Sequence, residues 1–295
     1  MTVVVSVAAY FFIYNYPATA KFLTPEERRH VLARLSKDND ASREEKFTWN
    51  GVRQALKDPK IYLYGICFHT ICMPGYTLSL FLPIIINDLG YSATHAQLLS
   101  IPPHMVAFIT TMAFAVHAEK TKRRAPYIIL GSAVGIIGYI ILITSRWPGV
   151  SYAGTLVVAS GVYFASTIVL SWPANNVSGQ TKRATGSALQ ISIGNIGSMI
   201  GTQLYRPKSS PRFFFGHGMV RPLIAGPRSS FEPRTQFLSQ ALGYLVGNIV
   251  VTSTLWYIMK KENERRDRGE RDDRLKGAGE TAFLGDDDPR WRFQT

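Results

Sequence analysis

His69, Tyr76, His104, Tyr163, Trp172, Asn175, Gln190 and Asn195 are polar or polar-tipped side chains standing inside otherwise apolar stretches. Such a group is costly to hold within an apolar helix, so each needs a partner or a ligand. His69 and Tyr76 lie two helical turns apart and share a face. With Gly65 and Met73 they form a stripe suited to lining a cavity. An imidazole there could bind an anion or exchange a proton near neutral pH; a helix–helix hydrogen bond is the plainer use. His104 follows Pro102 and Pro103, which lack the N–H groups that would pair preceding carbonyls. It could bond that broken turn as readily as a ligand. Asp and Glu are absent from the middles of these stretches. No paired carboxylates, metal-ligand cluster or nucleophile–base arrangement is evident, so neither an enzyme nor a cofactor is expected.

These residues belong to apolar blocks at about 61–86, 96–117, 126–144, 150–172, 184–205 and 241–258. A bilayer asks a helix for about 20 apolar residues, so the blocks read as six membrane spans. A further run, 2–14, reads as the end of another membrane helix. It has neither the basic start nor the small-residue cleavage site of a signal peptide; a signal anchor is the alternative. The net charge of +13 does not indicate nucleic acid, because Lys and Arg do not form one patch with interleaved aromatics. They collect instead between the apolar blocks, as in cytoplasmic loops. The 17–60 connection, the one with Lys120, Lys122, Arg123 and Arg124, and the one with Lys182 and Arg183 are basic. The connections at 87–95 and 145–149 hold between them only Arg146. The alternation places the 17–60 loop and the tail after 258 in the cytoplasm.

Within 17–60, Thr24, Pro25 and Glu27 fit the cap, first position and capping box of an amphipathic surface helix. Cys67 and Cys72 sit together in one apolar block and read as packing residues. Gly131/Gly135 and Gly197/Gly201 are small-residue pairs of the kind that let helices approach closely. Asn176-Val177-Ser178 matches a glycosylation sequon, but its cytoplasmic placement argues against a glycan.

The stretch FLPIIINDLGYSATHAQLLSIPPHM (81–105) resembles the seventh helix, outer loop and eighth helix of the anion:cation symporters. These are the allantoate-permease and nicotinate-carrier-like branch of the major facilitator superfamily. PATAKFLTPEERRHVLARLSKDN (17–39) resembles that family's central loop, and SWPANNVSGQTKRATGSALQISIGNIGSMIGTQLYRPKSSPRFFFGHG (171–218) its tenth loop and eleventh helix. AEKTKRRAP (118–126) resembles the second-half counterpart of a loop motif, with Ala118-Glu119 where an Asp is common.

The resemblance implies an all-α polytopic membrane bundle: the six-helix C-terminal half of a major facilitator fold plus the end of a preceding helix. The expected organisation is 1–16 as the end of a sixth membrane helix, 17–60 as a cytoplasmic loop, 61–258 as the membrane domain and 259–295 as a polar tail. It further implies proton-coupled uptake of a small organic anion, a vitamin carboxylate or a ureide, in the plasma membrane. The named polar residues would bind substrate, and the partners would be the anion, protons, the bilayer and the missing N-terminal carrier half. A non-transporting membrane fragment is the alternative. Residues 220–240, VRPLIAGPRSSFEPRTQFLSQ, interrupt the resemblance. Their possible codons suit an intron that keeps frame, so they are expected to be a retained intron, disordered and outside the fold.

Overall fold

The computed structural model describes residues 5–7, 9, 20, 22–37, 47–88, 90, 92–145, 147–203, 233–274 and 285–295. Among them the regular elements are all helical: α1 (Pro25–Lys37), α2 (Trp49–Lys57), α3 (Pro59–Asp88), α4 (Ala93–Leu99), α5 (Ile101–Thr121), α6 (Ala125–Thr144), α7 (Pro148–Asn176), α8 (Gln180–Gln203) and α9 (Pro233–Asp267). A short 3₁₀ turn follows at Gly285–Asp287.

Four of the six apolar blocks lie within one helix each; 96–117 is shared by α4 and α5, and 184–205 is helical as far as Gln203, the last described residue of that block. Four pieces are long and apolar enough to cross a membrane: Ala93–Thr121, Ala125–Thr144, Pro148–Asn176 and Leu238–Asp267. At about 1.5 Å per residue, the 30 residues of α3 and the 24 of α8 have similar reach. The helices run alternately up and down. One end of the bundle gathers Lys60, Arg124, Lys182 and Arg266, and is called the basic end below.

Burial is inverted relative to a water-soluble bundle. Phe108, Met112 and Val116 are all more than half exposed along one face of α5. Soluble proteins rarely leave a continuous apolar stripe bare, whereas a bilayer covers one. Lipid is as apolar as leucine, so helices there associate through close packing rather than escape from water. The α6–α7 contact does this with glycine. A Cβ on Gly131 would lie 2.7 Å from the Gly161 carbonyl oxygen, and one on Gly138 would lie 2.6 Å from the Val158 nitrogen. Beside this seam, Phe114 of α5 stacks on Phe164 of α7 at 4.4 Å.

The capping box at α1 is formed. The Thr24 nitrogen donates to Glu27 Oε2 at 2.9 Å, and the Glu27 nitrogen donates to Thr24 Oγ1 at 3.3 Å. Those bonds hold the Glu27 carboxyl below its ordinary value. Three features depart from the organisation expected above. α2, capped by Thr48, folds within the stretch read as a solvated loop. Its Ala55 is fully buried, and Gly51 approaches Thr181 of α8. Secondly, the expected insert divides. Residues 220–232 lie outside the described residues, but Pro233–Gln240 open α9, and Leu238 is 1% exposed in the core. Leu238, on the same helical face as Ala241 and Leu245, extends the buried stripe backwards. Thirdly, α9 continues to Asp267, and 285–295 return to pack against the basic end, with Phe293 in the core.

Candidate functional site

The structure sorts the candidate residues into two levels. In the middle of the bundle, α3 carries His69 and Tyr76, α5 His104, α7 Tyr163, and α8 Gln190 and Asn195. His69 Nδ1 lies 3.1 Å from the Ile193 carbonyl oxygen of α8. A carbonyl only accepts, so Nδ1 carries hydrogen and Nε2 is the atom left to take up or release a proton. Gly197 makes room for this ring: a Cβ there would lie 2.9 Å from Nδ1. On the other side the Tyr244 ring of α9 stands 5.8 Å from the imidazole. The expected stripe is therefore divided. Gly65 and His69 press on α8, Met73 is buried, and Tyr76 is 48% exposed.

His104 of α5 and Tyr163 of α7 form a second ring pair, also 5.8 Å apart. His104 Nδ1 donates to the Ser100 carbonyl at 2.8 Å. The carbonyl that Pro103 leaves unpaired, that of Leu99, is taken by the Tyr152 hydroxyl at 3.0 Å. The broken turn is thus repaired from α7. Gln190 is fully buried; its Nε2 donates to the Val169 carbonyl, and Oε1 has no partner among the described residues. Asn195 is exposed.

Trp172 and Asn175 lie elsewhere, at the basic end. Trp172 is fully buried; its indole N–H donates to the Gln294 carbonyl at 2.9 Å, and its ring meets Tyr64 edge-on. Asn175 sits beside Arg124, whose guanidinium it accepts once its amide is turned. Arg124 also donates to Ser171 Oγ at 2.7 Å and pairs with Glu119. Two residues of AEKTKRRAP, Glu119 and Arg124, thus meet each other.

A polar network absent from the sequence reading joins α3, α6 and α9. The Asn248 amide nitrogen donates to the Cys67 carbonyl at 2.8 Å and to Thr70 Oγ1 at 2.9 Å, while its oxygen accepts from Ser132 Oγ at 2.9 Å. Cys67 Sγ lies 3.2 Å from Thr252 Oγ1. Every group here is occupied, so the network binds helices together. Asn248 was recognisable by the rule applied to the other residues, as an amide inside an apolar block.

Long apolar helices with an exposed apolar surface mark an integral membrane protein. The Major Facilitator Superfamily model matches residues 1–202, and the chain belongs to that family. It is 32% identical over 253 residues to an uncharacterized transporter of Schizosaccharomyces pombe, covering 86% of this chain and 47% of that protein. It is 27% identical over 245 residues to the high-affinity nicotinic acid transporter of Saccharomyces cerevisiae, covering 83% and 42%. With the major facilitator-type transporter hxnP of Emericella nidulans it shares 26% over 298 residues, 99% and 56%. The chain spans about half the length of these curated relatives.

Proposed function

We propose that the chain forms the second six-helix half of a proton-coupled carrier for a small organic anion in the plasma membrane, with its basic end in the cytoplasm. Carriers of this design rock two halves around a site near the bilayer midplane. The observation that carries the reading is the pair of histidine–tyrosine contacts, His69–Tyr244 and His104–Tyr163, in a bundle interior without carboxylates. An imidazolium beside a phenol offers positive charge and a hydrogen-bond donor to a carboxylate. The same imidazole, oriented through Nδ1, leaves Nε2 as the atom that would carry the coupling proton. The likeness to a nicotinic acid transporter supports a carboxylate vitamin as substrate, and Tyr76, Gln190 and Asn195 would complete the contacts.

The test is uptake of labelled nicotinate by cells expressing the chain joined in frame to a first carrier half. Saturable uptake that rises as external pH falls is expected. No uptake of nicotinate or of a ureide by that protein, correctly placed in the membrane, would overturn the reading. A second reading rests on the half-length match to the relatives: by itself the chain is a membrane fragment without transport. Uptake by the 295-residue chain alone would refute it.

A further inference from the structure

The segment 285–295 is held at the basic end with a thoroughness unusual for a polar tail. Asp286 is 4% exposed and sits between two lysines, with Lys182 Nζ at 2.7 Å and Lys60 Nζ at 3.2 Å. Asp58, at the start of α3, closes the square by pairing with Lys182 at 3.1 Å. Two anions and two cations thus balance in a place largely closed to solvent. Further along, the Phe293 ring meets the same Lys60 and one more cation, with Lys60 Nζ 4.5 Å and the Arg266 guanidinium 4.6 Å from its centroid. Cations over an aromatic face are attracted by its quadrupole, more strongly away from water.

The main chain is gripped as well. Asn263 of α9 both donates to the Phe293 carbonyl and accepts from the Phe293 nitrogen, each at 2.9 Å. Asn176 of α7 does the same for Gln294, at 3.0 and 2.7 Å. Each carboxamide replaces a neighbouring β-strand, pairing an N–H and a C=O at once. Arg266 adds bonds to the carbonyls of Asp286, Asp288 and Trp291. Finally, the Arg124 nitrogen donates to the Thr295 oxygen at 2.9 Å.

These partners come from α3, α7, α8, α9 and the turn before α6. We propose that the basic end of the bundle is a docking groove for a peptide with an acidic and an aromatic anchor, that 285–295 is its occupant, and that the docked segment straps the helix ends together so that its release frees them to move. Undocking leaves Lys60 and Lys182 with Asp58 alone, strips Arg266 of three carbonyls, and removes the bridge over the ends of α3 and α8, which then meet there through Asp58–Lys182 and Ile61–Gly186. The inference does not depend on the transport reading.

Hydrogen exchange on the full chain in lipid nanodiscs tests it, with a synthetic peptide of residues 285–295 as the free reference. The amides of Phe293 and Gln294 should exchange at least about tenfold more slowly in the protein than in the peptide. Asp286→Asn and Asn263→Ala should each bring the tail close to the peptide's rate and speed exchange at the starts of α3 and α8, while α6 is unchanged. A wild-type tail exchanging like the free peptide overturns the docking, and that measurement needs no variant to fold. A tail released by either substitution without any change at α3 and α8 overturns the strap.

Discussion

The basic end and the middle of this bundle use the same kinds of side chain to opposite effect. At the basic end, Asn176, Trp172, Arg124 and Lys182 have their hydrogen-bonding capacity filled by the tail and by neighbouring helices. In the middle, His69 and His104 each spend one nitrogen on a backbone carbonyl, and the other ring nitrogen makes no hydrogen bond among the described residues. Polar residues in a membrane helix therefore do not mark a binding site merely by being there. What distinguishes a structural residue from a candidate ligand is how much of its capacity its own fold uses.

This comparison makes different demands on the two regions. The largest effect belongs to the basic end: Lys182→Met leaves Asp286 and Asp58 with Lys60 alone and should remove about 3–5 kcal/mol of stability, read as thermal unfolding of the purified chain. Next is the glycine seam, where Gly161→Val would push side-chain atoms into the Gly131 carbonyl and should lose about 1–3 kcal/mol by the same measurement. In the middle, His69→Ala should leave unfolding within about 1 kcal/mol, because it gives up one partly buried bond. The same substitution should abolish the rise of uptake at low pH in the completed carrier. If it instead destabilised the chain as Lys182→Met does, His69 would belong with the basic end and the comparison would fail.

A smaller effect concerns acid. Burial by itself would raise the Asp286 carboxyl, but Lys60 and Lys182 outweigh it and hold the group below the ordinary aspartate value. A depressed carboxylate stabilises the docked state above its unfolded pKa of about 3.9, and that contribution fades as pH falls through the lower folded value. Protection of the tail should thus be flat from about pH 5 to 8 and vanish only in stronger acid. Loss between those two values would assign the clamp to another group.

The helices were legible because apolar blocks of spanning length, separated by basic connections, leave few alternatives. Thr24, Pro25 and Glu27 likewise disclosed α1, since a capping box is a local matter. What the sequence hid depends on depth and on distant partners. Trp172 ends its apolar block and Asn175 lies just past it; α7 runs on to Asn176, and its last turn lies at the basic end. Asn248 was as visible as Gln190. α2 has few apolar residues to betray it and buries chiefly Ala55. The tail's return was hidden because its anchors, Lys60 and Lys182, precede it by most of the chain. Its Trp291 and Phe293, two large aromatics in an otherwise charged segment, were the available sign that it does not stay in water.

The grip of Asn176 and Asn263 on the tail has a consequence for how the segment tolerates change. A carboxamide that pairs with a peptide group reads none of the side chain attached to it. Between Asp286 and Phe293 the main chain is held as well, since Arg266 meets the carbonyls of Asp288 and Trp291, while Trp291 packs on the core and Arg292 pairs with Asp267. The number of residues is fixed too. One residue inserted or removed there would shift either the carboxylate off its lysines or the ring away from Lys60 and Arg266, so spacing specifies this segment alongside its letters.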